Sequence, residues 1–111
     1  MFQLQASKSI KWPVNVNIPR DGGKTVKATF TGHFSLISQD EFDAVYNDGG
    51  NDETLVRAVL TGWGNDVNDA DGNAMAFNDE NLNKMAGVPY VRAAIVAAYI
   101  EVSHGKVATK N

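Results

Sequence analysis

The chain has 111 residues, enough for one domain that buries roughly two thirds of its unfolded surface. It contains no cysteine, which excludes a disulfide framework and thiolate chemistry and fits a reducing cytoplasm. The net charge of −3 conceals an asymmetry: residues 1–37 carry Lys8, Lys11, Arg20, Lys24 and Lys27 against Asp21 alone, while residues 38–104 carry twelve acids against Arg57, Lys84 and Arg92.

The first third alternates with period two. Trp12, Val14, Val16 and Ile18 share one face of a strand, and Pro13 within it points to a sheet edge because proline cannot donate to a ladder. Pro19-Arg20-Asp21-Gly22-Gly23 is a turn, and Val26, Ala28, Phe30, Phe34 and Leu36 form the apolar face of a second strand. Gly32 falls in that apolar register and marks a bulge or a close backbone approach. Phe2 and Leu4 hint at a third strand.

At Ser38 the period changes. Ser38-Gln39-Asp40-Glu41 matches a capping box and opens a short helix with Phe42, Val45 and Tyr46 inward. After the Asn47–Asn51 loop, Asp52-Glu53 opens a second helix with Leu55, Val56, Val59 and Leu60 inward. Gly62 is placed as its left-handed cap, and Trp63 is expected to fold its ring back onto the last turn. Residues 65–77 form a polar loop with a small hairpin tipped by Asp71-Gly72. Asn78 caps a third helix with Leu82 and Met85 inward, and Gly87 ends it. Pro89 begins a fourth helix that runs to about His104 and stops at Gly105. The fold class is therefore α+β, an N-terminal antiparallel hairpin or small sheet packed against about four helices. A single domain spans 1–111, with a β-rich part (1–37), a helical part (38–104) and a flexible tail (105–111).

No chemistry stands out. With Gly72 at position six of a calcium loop, position one is Val67, which cannot ligate, and position twelve is Asn78 instead of glutamate. An Asx-type turn is the better reading of Asp69-Ala70-Asp71-Gly72-Asn73. His33 and His104 show no zinc spacing, and His104 suits a helix C-terminus. Ser35, Ser38 and Ser103 lack a nucleophile-elbow context, and Gly22-Gly23-Lys24 is too short for a phosphate loop. No catalytic residue, cofactor or metal is expected. The acids cluster at helix starts, where the helix dipole favours them, and the N-terminal cations are too dispersed to argue for nucleic acid. No apolar run approaches the ~20 residues of a membrane span, and MFQLQASKSIKW lacks the apolar core of a signal peptide.

The fourth helix is unusual. Val91, Ala94, Ile95, Ala98, Tyr99 and Val102 make an ordinary inward stripe, but Ala93, Val96, Ala97 and Ile100 cover much of the other side, without a charge from Ala93 to Ile100. Such a helix is either the centre of the fold, with the other elements around it, or docks a partner helix or another copy of the chain.

The order and spacing of the segments resemble a family. A Trp-containing strand, PRDGGK and a Phe-containing strand lead into FSLISQDEFDAV, followed by LVRAVLTGWGNDVNDADGNAMAFNDENLNKMAGVPYVRAAIVAAYIE. This is similar to the tail assembly chaperones of long-tailed bacteriophages and prophages over nearly the whole chain. The resemblance implies a non-enzymatic factor in the host cell cytoplasm. Such a factor keeps the tape measure protein soluble, supports tail tube assembly and is absent from the finished virion. It also implies a longer form made by ribosomal frameshifting, whose extension reaches the tape measure or tail tube protein; Thr109-Lys110-Asn111 admits a slippery codon sequence. Trp63, Tyr90, Val96, Ala97 and Ile100 are the expected partner contacts, a homo-oligomer is a further option, and neither nucleic acid nor membrane is an expected partner. The other readings are a tail-completion or connector subunit retained in the virion, and an acidic regulatory module whose binding would be salt-sensitive.

Overall fold

Alternating residues that hide one face and wet the other make the N-terminal third a long hairpin. In the computed structural model, which describes residues 1–4 and 9–110, β1 (Ile10–Arg20) pairs antiparallel with β2 (Lys24–Phe34) through an uninterrupted register from Ile10↔Phe34 to Arg20↔Lys24. Lys8 of the basic N-terminal set and Asn111 of the tail lie outside the described residues. The turn works because Gly22 and Gly23 take φ of 80° and 74°, a region costly for residues with a Cβ. A third strand, β3 (Leu60–Trp63), pairs antiparallel with β2 and completes the sheet in the order β1-β2-β3. The α+β class follows from this sheet together with α1 (Gln39–Asn47), α2 (Asp52–Val59), α3 (Asp79–Gly87) and α4 (Pro89–Ser103).

β1 is an edge strand, as Pro13 implies. Pro19 lies six positions further on, so both imide nitrogens face the same way. Neither can donate to the ladder with β2, and the unbroken register places both on the free edge. Gly32 marks a close approach and is not itself bulged, being paired regularly with Trp12 and Trp63. The β2–β3 pairing slips between His33 and Phe34, and a Cβ on Gly32 would stand 2.9 Å from Phe34, 3.1 Å from Val14 and 3.2 Å from Leu60.

Two expectations fail around β3. Phe2 and Leu4 are exposed and belong to no strand; Leu60–Trp63 supplies the third strand instead. Gly62 is not a left-handed cap. Helix α2 ends as Leu60 turns extended (φ −87°, ψ 107°), and the chain enters the sheet directly, with His33↔Gly62 and Gly32↔Trp63 as partners. Here a glycine is useful for its size, since a Cβ would lie 2.9 Å from His33 Nδ1. Trp63 is the last residue of β3. Its indole is buried, donates to the Met75 carbonyl at 2.8 Å and meets Phe77 edge-on at a centroid distance of 4.8 Å.

The helix boundaries are set by caps. Ser38 and Glu41 form both bonds of the capping box, and Asn51 and Asn78 accept from Thr54 N and Asn81 N. Within 65–77, Asn68 bridges Ala74, while Asp69 Oδ1 accepts from the amides of Asp71 and Asn73 at 2.9 Å each, closing the expected Asx turn. Val67, the residue that spoils a calcium loop, is buried in the core. Gly87 is the last residue of α3, and the chain bends by 99° into α4, where Pro89 occupies the first turn. The core lies between the inner sheet face (Val14, Val16, Phe30, Phe34) and the helical residues Leu55, Val56, Val59, Leu82, Ile95, Ala98 and Tyr99. No single helix among the described residues is long and apolar enough to cross a membrane.

Candidate partner-binding surface

Helix α4 is packed by β1, α2 and α3, and the buried stripe is the expected one: Val91, Ala94, Ile95, Ala98, Tyr99 and Val102. Tyr99 stands opposite Phe34 at 6.2 Å, and its hydroxyl accepts from the Ile37 amide at 3.2 Å. The uncharged run is thus divided between core and surface. Ala93 and Ala97 are exposed, whereas Val96 and Ile100 are half-buried. Helical spacing of three and four residues aligns Ala93, Val96, Ala97 and Ile100 along one outer strip.

The five sequence candidates do not form one cluster. Val96, Ala97 and Ile100 share the strip, and Ile100 continues it into a shallow groove walled by Ile37, Phe42 and His104. Tyr90 lies ten residues N-terminal to Ile100, ~15 Å along the helix axis. It is 40 % exposed and faces a different cleft, beside Ile18, Met85 and Val91. Trp63 is part of the core, held by Met75 and Phe77. Sequence reasoning missed Phe42 and Ile37 as companions of Ile100. In sequence Phe42 belongs to the inner stripe of α1, and only the fold brings it to the C-terminal end of α4.

Polar contacts secure both ends of the strip. At the N-terminal side, Arg92 reaches Glu53 on α2 at 3.2 Å and donates to the Ala86 carbonyl at 3.0 Å. Glu53 is shared with Arg57, which also bonds Asn83, so α2, α3 and α4 are laced together. Nearby, Tyr46 donates to Asp52 at 2.8 Å, and its phenol is pushed up to about 12, chiefly by burial and then by the Asp52 carboxylate. At the C-terminal side, His104 Nδ1 lies 2.8 Å from the Ile100 carbonyl.

Glu101 is the most connected side chain of α4. Oε1 accepts from the Trp12 indole at 3.0 Å, and Oε2 accepts from both the amide and the hydroxyl of Thr109. The Thr109 carbonyl in turn accepts from Asn15 at 2.6 Å. The segment leading to Thr109, expected to be a flexible tail, is therefore tied back to α4 and β1. Hydrogen bonds from Thr109 and then from Trp12 hold the Glu101 carboxyl below the usual carboxylate range.

Among the described residues, no three His, Asp or Glu side chains converge where a metal ion would sit. Comparison with protein-family models, with curated proteins and with solved structures returns no match.

Proposed function

We propose that this chain is a phage tail assembly chaperone that binds the tape measure protein in the host cytoplasm and hands it on as the tail tube assembles. The reading rests on the resemblance in segment order and spacing. The observation that best supports it is the uncharged outer strip of α4, where Ala93 and Ala97 are open to solvent and Val96 and Ile100 are half open. Small side chains on that strip let another helix approach closely, and many weak contacts of this kind suit reversible cover of a long apolar protein. Tail tube subunits then displace the chaperone by competing for the same apolar face.

Val96→Asp and Ile100→Asp place carboxylates on the strip. Co-expression with the tape measure protein tests them, with circular dichroism establishing that each variant is folded. The expected result is loss of co-purification by folded protein; unchanged co-purification by both folded variants overturns the contact assignment. The long hairpin also suits a subunit that stays in the particle, such as a connector or tail-completion protein. Mass spectrometry of purified virions separates the readings, because stoichiometric retention is incompatible with a chaperone.

A further inference from the structure

The inner face of the β1–β2 hairpin runs out of its own core before it reaches the turn. Cross-strand partners share a face, so this face reads Val14/Phe30, Val16/Ala28, Ile18/Val26 and Arg20/Lys24 from base to tip. Val14, Val16 and Phe30 are buried, Ile18 is half-buried and Val26 is 48 % exposed. The apolar stripe thus overhangs the helices and borders a cleft whose far wall is Met85, Tyr90 and Val91.

The stripe ends in two cations placed directly opposite each other, a pairing that costs a hairpin stability. Among the described residues neither Arg20 nor Lys24 takes part in an ion pair; Arg20 spends one N–H on the Pro19 carbonyl. Asp21 in the turn is the nearest acid in sequence. Asp66, on the cleft rim, is engaged by the Thr31 amide and hydroxyl at 3.0 and 2.9 Å.

We propose that this overhang is a second docking surface, distinct from the outer strip of α4, and that it takes an amphipathic helix whose apolar stripe is flanked by carboxylates. The apolar rows of the partner cover Ile18, Val26 and Tyr90, and its carboxylates sit between Arg20 and Lys24. Charge complementarity fixes the sign of the flank. Geometry favours a helix, because a sheet face opposed by helices is completed by another element packed on it. Addition of a strand to β1 is disfavoured by the imide nitrogens of Pro13 and Pro19 on the free edge. The cleft volume of ≈ 190 Å³ is below the range of small-molecule pockets and suits a few inserted side chains.

The test uses the full chain and two designed peptides of roughly 18 residues, five helical turns. Both carry the same leucine stripe, one flanked by glutamates and the other by lysines. The glutamate peptide is expected to bind and to shift the amide resonances of Ile18, Val26 and Tyr90. Arg20→Glu with Lys24→Glu should weaken it by about tenfold and reverse the preference towards the lysine peptide. Val26→Asp should weaken both. Equal affinity for the two peptides, no binding of the glutamate peptide, or shifts confined to Ala93–Ile100 would overturn the proposal. So would a dimer whose interface protects the cleft, since the occupant would then be a second copy.

Discussion

The base and the tip of the β1–β2 hairpin are written in the same alternating code, yet they live in different surroundings. At the base, Val14 and Phe34 are fully buried, and the Trp12 indole is bonded to Glu101 from across the fold. At the tip, Ile18 and Val26 continue the same apolar face with little of this chain above them. Period-two patterning therefore specifies which face a residue occupies. Whether anything covers that face is decided by where α4 begins, at Pro89, a property of residues some seventy positions away.

That contrast can be broken or sharpened by substitution. Phe34→Ala should cost about 3–5 kcal/mol, measured by urea denaturation, because it empties a fully enclosed site against Tyr99. Gly32→Ala should cost about 1–3 kcal/mol in the same assay, since the new methyl collides with Phe34, Val14 and Leu60, all held in the core. A cost near zero would mean that the base can give way as easily as the tip.

Glu101→Gln should lower the melting temperature at neutral pH, and the gap from the wild type should close on acidification. The folded carboxyl titrates below its unfolded value, so its stabilisation is complete above the ordinary carboxylate pKa and is lost as pH falls through the lowered one. Melting curves between about pH 7 and pH 3 check this, and a gap that persists undiminished in acid would remove Glu101 from its place as the tie. The smallest effect belongs to Val26→Ala, within about 0.5 kcal/mol, as expected for an exposed site. A large loss there would show that the tip is covered after all.

Much of the fold was legible because it is written locally. The capping box at Ser38-Glu41, the cap at Asn78, Pro89 in the first turn of α4 and the Asx turn at Asp69 all depend on residues within a few positions of each other. Gly62 is ambiguous in the sequence, because one residue type serves two purposes. Glycine after a helix signals a left-handed cap, but this glycine is needed to leave room for His33 across the sheet. The buried stripe of α4 followed from its spacing, whereas its neighbours did not. That Phe42 and Ile37 flank Ile100, and that Tyr90 faces another cleft, depends on tertiary packing that no local pattern encodes. The tie from Thr109 to Glu101 was likewise hidden, since a short polar segment carries no periodic signal.

The bond between Trp12 and Glu101 joins residues 89 positions apart, and this distance has a meaning on the ribosome. At ~5–20 residues per second, roughly 4 to 18 seconds pass between the synthesis of the two partners. Throughout that interval the apolar face of β1 has been made and the helix that covers it has not. The edge prolines then matter most, because they leave the nascent hairpin a poor template for strands of its neighbours at the time when its inner face is bare.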